Sequence, residues 1–377
     1  MATYFWVGGT GTWNNSNTAN WSLLSGGIGG AGPPISTDIV NFDTNSGSGT
    51  CTTAAGSACA TATFNSATLG LTLGAAHTMS GTFTLTQGTL SLGSFALTCN
   101  IFISSNSNTR SIAFGTGNIT LTGNAARILD LRTVTNLTVT GTPIINSTYA
   151  GSTGTRTIET GALPEAQTIS VNVTAGADIV TNTSTTARFK NLNFTGFTGT
   201  FNAGNAQSIY GNLTLGSGMT VGASTVTLAF VGSAATQTIT TNGVSVDRPI
   251  NFSGVGSTFA FQDAITQGST RAFTITNGTV QLKAGVTSTV GSLTTSSTNQ
   301  KFLQSTLAGT QATLSQATGT VSVGYLTIKD INATGGATFN AYTVNNNVNA
   351  GNNLGWDFFA QLGKTIFTRR KEKRVLI

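Results

Sequence analysis

The sequence predicts an all-β protein built as a right-handed parallel β-helix, and three observations predict it. Only 7% of the 377 residues are charged, while Thr, Ser, Asn and Gly dominate between short apolar runs. β-Branched residues suit a pleated strand, and Gly and Asn supply the positive-φ positions that tight turns need. A short phrase recurs, as "GTFTLTQG" (81–88), "GTLSLG" (88–93), "GNITLTG" (117–123), "NLTVTG" (136–141), "NLNFTG" (191–196), "GNLTLG" (211–216) and "GTVQLKAG" (278–285). Its alternation places Leu, Val, Ile and Phe on one face and Thr or Ser on the other, which is the period of a strand. Finally, the phrases recur at roughly twenty residues where the rhythm is clearest, from Asn191 to Asn212. Units that short cannot bury their own apolar face, so they stack as coils sharing one core. The alternative is a set of tandem antiparallel β-sandwiches, for which "TNG" at 241–243 and 276–278 would supply hairpin turns. Disorder is excluded because 38% of residues are hydrophobic and twenty-one are Phe.

Residues 1–50 read as an N-terminal cap. "YFWVGGTGTWNNSNTANWS" gathers Tyr4, Phe5, Trp6, Trp13 and Trp21 into one short segment. A solenoid has open sheet ends that invite edge-to-edge pairing, and terminal aromatics plug such an end; the other reading is a platform for glycan stacking. A glycine-rich loop with Pro33 and Pro34 follows, and then "DIVNFD" (38–43), expected as the first strand. Residues 51–358 read as the β-helix body, in which Thr, Ser and Asn stack in ladders on successive coils, with Gly355, Trp356, Asp357 and Phe358 as its end. Residues 359–377 read as a basic C-terminal tail.

Charge supports that division. Residues 364–377, "KTIFTRRKEKRVLI", carry six of the seventeen Lys and Arg and sum to +5 with Glu372, against +6 for the whole chain. The body is nearly neutral, with eleven basic and ten acidic residues, and offers no cluster of cations for phosphate recognition. Nucleic acid and membrane are therefore not expected as partners of the body. The tail combines Arg369, Arg370, Lys371, Lys373 and Arg374 with Phe367 and Val375–Ile377, a set suited to docking on an acidic partner surface. A run of this kind also binds DNA or anionic membrane, and a solvated terminus is the plain reading.

Candidate chemistry is sparse. Glycoside hydrolysis needs two carboxylates about 5–10 Å apart. Glu159 and Glu165 are the nearest glutamates in sequence, but "ETGALPE" reads as a turn around Pro164, while Asp247 beside Arg248 and Asp263 read as loop-ordering residues. His77, the only histidine, sits in "GAAHTMSG", which reads as a turn. "GGTGTW" lacks the strand-to-helix context of a dinucleotide site. No catalytic residue, metal ligand or cofactor is expected. Cys51, Cys59 and Cys99 are spaced unlike metal ligands and read as buried free thiols, with a Cys51–Cys59 disulfide as the alternative. The N-terminus lacks the pattern of a secretory signal, and no run approaches the ~18 apolar residues of a spanning helix, so assembly in a cytosol is expected.

The opening "WVGGTGTWNNSNTANWS" with "DIVNFD", and the closing "YLTIKDINATGGATFNAYTVNNNVNAGNNLGWDF" (325–358), resemble the start and end of β-helical structural proteins of tailed bacteriophages and of some large bacterial surface adhesins. These stretches cover under a quarter of the chain. The resemblance implies a virion or surface β-helix, often a homotrimer, working as a tail fibre, spike or head decoration protein. Other virion proteins and host-surface glycans are its implied partners. A polysaccharide-degrading tailspike and an exported adhesin are the rival readings.

Overall fold

The computed structural model describes residues 1–233 and 235–359. It is 46% strand and 2% helix, and its parallel sheets stack as a β-solenoid of about 14 turns. At the ~4.8 Å spacing between paired strands the stack is about 65 Å long. Antiparallel sandwiches are excluded by the ladder itself: the paired strands run parallel, and the sole antiparallel pair among the described residues joins Thr3–Trp6 to Trp21–Ser22. The two "TNG" segments are corners, not hairpins. Ala272–Ile275 and Thr279–Leu282 flank the second of them, yet each pairs with strands of neighbouring coils.

Inward residues align from rung to rung, which is how coils too small for a private core share one. One column runs Val40, Ala62, Phe83, Phe102, Leu129 and Ile158 in direct register. Another runs Leu97, Ile119, Ile145, Val171, Leu192, Leu213, Ile239 and Phe261. Phe83 stacks on Phe102 and Phe230 on Phe252, with ring centroids 5.6 and 5.4 Å apart. On the outer face, Asn172 Nδ2 donates to Asn146 Oδ1 at 2.9 Å, and Asn146 Nδ2 to Asn118 Oδ1 at 3.4 Å, forming the expected ladder. Each amide here meets its neighbour's hydrogen-bonding needs.

Some strands turn a corner without breaking. Thr61–Leu73 pairs through its first half with Ile39–Phe42 and through its second with Gly49–Thr53. Thr82–Ser91 bends above it at Gly88, whose φ is +95° and where a Cβ would strike the Ser66 carbonyl; only glycine fits there without strain.

The first fifty residues belong to the same stack. Thr3–Trp6 pairs in parallel with Ile39–Phe42, and Gly49–Thr53 runs across the boundary expected at residue 50. "DIVNFD" does form a strand, Ile39–Phe42, but three strands precede it. The chain therefore enters the solenoid at Thr3, and Trp21–Ser22 folds back on the outermost edge.

Coil length varies along the stack. From Phe189 to Ile209, Phe230 and Phe252, one coil takes 20, 21 and 22 residues. Phe102 to Leu129 and Leu129 to Ile158 take 27 and 29. In these longer coils, side chains that point away from the core are nonetheless buried: Asp130 is 6% exposed and Glu159 is fully covered.

Candidate functional site

The covered outer face holds the densest group of ionisable side chains. Asp130 lies between Leu129 and Leu131 on one rung, and Glu159 follows Ile158 on the next; the two are direct register partners. Because the flanking residues face the core, alternation turns both carboxylates outward. Arg127 Nε lies 2.6 Å from Glu159 Oε2 and 3.7 Å from Asp130 Oδ2. Arg132 lies 2.9 Å from each carboxylate, through Nε to Glu159 and Nη2 to Asp130. Thr183 Oγ1 donates to the other oxygen of Glu159.

Two carboxylates on adjacent rungs repel, and the two guanidinium groups bring the quartet to zero formal charge. Burial alone would raise the Asp130 pKa, but the hydrogen bonds and charge of Arg132 outweigh it and hold this carboxyl below its ordinary value. A general acid needs a proton near its working pH, and Asp130 is tuned the other way. The arrangement is an ion cluster that pins the loops at 127, 132 and 183 onto the sheet.

The two glutamates nearest in sequence, Glu159 and Glu165, do not pair. Glu159 is in strand Thr155–Thr160, not in a turn, and Glu165 is far from it in function, accepting hydrogen bonds from Ser233 N and Oγ at 3.1 and 2.8 Å. The true partner was signalled by the alternation in "LDL", where an acid sits between two core leucines.

The other carboxylates are committed in the same way. Asp38 accepts from Ala2 N and Ile35 N, Asp43 from Ser25 Oγ and Asn45 N, and Asp178 from Arg156. Asp247 pairs with Arg271 Nε at 2.6 Å, and Asp263 accepts from Thr241 N and Asn242 N, ordering the first "TNG" corner. Asp330 accepts from Gly309 N, and Asp357 from Phe359 N. All ten body carboxylates thus hold a turn or an ion pair.

Buried cations do similar work. Arg110, 1% exposed, donates to the carbonyls of Asn106, Asn108, Thr133 and Thr135. Arg248 does not join its neighbour Asp247; it is buried and donates to Gln207 Oε1 and the Ala203 carbonyl, and burial pulls its pKa down to about 10.

His77 opens the short strand His77–Thr78 and is 2% exposed, so the turn expected there is not formed. Its Nδ1 is 2.9 Å from Ser57 Oγ, its Nε2 is 3.7 Å from Cys59 Sγ, and its ring packs on Trp13. Burial drives the His77 pKa down to about 4 and the Cys59 pKa up to about 12, with Cys99 adding to the latter, so thiol and imidazole are both neutral. All three cysteines are buried and free. A thiol held neutral is a poor nucleophile.

The lowered His77 pKa carries a pH prediction. In the unfolded chain the ring takes a proton near pH 6.5, whereas in the folded chain it does so only near pH 4. The unfolded state therefore binds more protons between those values. Stability is complete above pH 6.5 and should fall by about 3 kcal/mol as the pH drops to 4. Urea titrations at stepped pH should show this slope between pH 6.5 and 5, and His77→Gln should remove it.

At the solenoid's beginning Trp6, Trp13 and Trp21 are each at most 1% exposed and pack edge to face, with Trp21 centroids 5.0 and 5.3 Å from Trp6 and Trp13. Their rings are core, not exposed platforms. At the other end Trp356–Asp357 pairs with Phe339 and Asn340, and Trp356 meets Phe339 edge to face at 5.1 Å. Gly355 has φ +74°, and Phe358 is buried with its carbonyl accepting from Thr343 N. The candidate docking residues Phe367, Arg369, Arg370, Lys371, Lys373 and Arg374 lie outside the described residues.

Among the described residues no helix is long and apolar enough to cross a membrane, and no three His, Cys, Asp or Glu side chains are grouped to hold a metal ion. Compared with protein-family models, curated proteins and solved structures, the chain finds no match.

Proposed function

We propose that this chain is a non-enzymatic structural protein of a tailed-phage virion, a fibre, spike or decoration protein assembled in the host cytoplasm. One observation carries the non-enzymatic part: every body carboxylate already holds a turn or an ion pair, and the one adjacent pair, Asp130 and Glu159, is neutralised by Arg127 and Arg132. The virion assignment rests on the resemblance of residues 6–22, 38–43 and 325–358. In this reading the solenoid is a chemically quiet shaft, present as a homotrimer, that touches host-surface glycans through its turns. The basic segment 364–377 joins it to other virion proteins.

Deleting 364–377 should leave a folded, β-rich body that no longer enters particles; unchanged incorporation would refute the docking role. Antibody-labelled electron microscopy of particles tests the virion assignment directly. Release of reducing sugar from host polysaccharide by the purified chain would replace this reading with that of a degrading tailspike.

A further inference from the structure

One corner of the solenoid is grooved along several coils. On five successive coils the chain turns at 255–257, 277–279, 299–300, 322–325 and 344–346, and two adjoining grooves of about 330 and 390 Å³ run along these turns. Their volumes are those of small-ligand sites. Among the described residues, neither lining includes an acidic or basic side chain.

The larger groove has a strained wall. Tyr325 holds φ +54°, and Asn299 and Asn346 at the same corner hold φ +60°. Asparagine tolerates this region, but a bulky aromatic residue there is an outlier that the surroundings must enforce. Lys301 enforces it. Fully buried, its Nζ donates to the carbonyls of Thr298 and Asn299 on one turn and of Gly324 and Tyr325 on the next, at 2.8–3.4 Å, and sits 5.5 Å from the centre of the Tyr325 ring. Tyr325 N completes the clamp by donating to the Asn345 carbonyl. The ring is thus fixed before any ligand arrives.

Polar groups in this groove are also left over. The amides of the Asn118, Asn146 and Asn172 ladder use one another. In the groove, the side chains of Asn345, Asn346, Ser297 and Ser322 make no hydrogen bond among the described residues. Amides and hydroxyls offer paired donors and acceptors, set on rungs ~4.8 Å apart, beside a rigid aromatic face. That combination suits a chain of hydroxyl-bearing rings, while the uncharged lining gives an anionic ligand no counter-charge.

We infer that this corner groove, walled by Tyr325 and lined by Asn345, Asn346 and Ser297, binds a linear neutral oligosaccharide. The inference rests on the proposed glycan contact and gives it a place and a chemical class.

The test is calorimetric titration of the full chain with neutral hexasaccharides of glucose, mannose and galactose, alongside an acidic oligosaccharide. At least one neutral chain should bind at millimolar concentration or below, and Tyr325→Gly should weaken it roughly tenfold or more without lowering the melting temperature. Glycine accepts the same backbone angle, so this variant removes the ring without straining the turn. Binding by none of the neutral chains, binding only of the acidic one, or equal binding by Tyr325→Gly overturns the inference. None of those results alters particle incorporation, which tests the structural role separately; cleavage of a bound chain would sink the non-enzymatic reading and leave the groove.

Discussion

Replacing Arg156 with alanine is expected to destabilise the folded chain by about 3–5 kcal/mol, because it strands a buried carboxylate. Arg156 is fully buried. Its Nε and Nη2 donate to the two oxygens of Asp178 at 2.8 Å each, Nη1 donates to Ser147 Oγ at 2.7 Å, and Nη2 also reaches the Ala175 carbonyl. The guanidinium further packs over Tyr149 and Phe197 at 5.3 and 5.7 Å. Asp178 has no exposed side-chain surface, so water cannot replace the lost partner. Urea unfolding reads the loss, and hydrogen exchange in Thr155–Thr160 and Ile179–Thr181 should locate it. Replacing both residues, as Arg156→Met with Asp178→Leu, should recover most of it, since the cost lies in the unpaired charge. An Arg156→Ala variant with an unchanged midpoint would show that the pair is not desolvated as described. Arg271→Ala, which leaves the half-exposed Asp247 accessible to water, should shift the midpoint far less.

How much of this could be read from the sequence depends on the length scale of the signal. Strand period is local, so the alternation in "GNITLTG" and "GTVQLKAG" located Asn118–Leu121 and Thr279–Leu282 directly. Stacking was legible from the repeat, because a twenty-residue unit cannot bury its own apolar face, while the parallel sense of the ladder, against antiparallel sandwiches, came from the strand pairing. Register was not legible. Coil length is uneven, 17 residues from Phe339 to Trp356 but 29 from Leu129 to Ile158, so nothing local shows that Asp130 faces Glu159 across a rung. Glu165, six positions away in sequence, is engaged with Ser233 instead. His77 was missed for a related reason: its neighbours look like turn residues, while the groups that meet its ring, Trp13, Ser57 and Cys59, come from distant positions in the chain. The same limit hid the fate of the cations. An Arg110 or Lys301 in an uncharged stretch, or an Arg248 beside Asp247, looks like a surface residue, whereas each is a buried clamp whose partners are backbone carbonyls, an amide or a hydroxyl, groups that carry no sequence signature.

The second large effect is expected at the beginning of the solenoid, where Trp21→Ala should cost about 3–5 kcal/mol and bring aggregation with it. Trp21 is fully buried among Trp6, Trp13, Tyr4 and Phe42. Its strand, Trp21–Ser22, is the last of the fifteen-stranded sheet and lies antiparallel on Thr3–Trp6. Removing the indole leaves a cavity and also loosens the strand that covers the sheet's terminal edge. An uncovered edge of parallel, low-charge strands is a template for another chain. Residues 1–109 carry only Asp38 and Asp43 as charged side chains, so repulsion gives little protection there. Two readouts separate the contributions: the urea midpoint reports the cavity, and concentration-dependent light scattering reports the edge. Trp21→Phe should lower the midpoint by less and keep the chain dispersed, because it preserves an aromatic ring over Phe42. The Trp21 indole N–H has no acceptor among the described residues, so phenylalanine gives up no hydrogen bond. If Trp21→Ala unfolds early yet stays dispersed at every concentration, the terminal strand is not what keeps this edge from pairing, and the cap acts through packing alone.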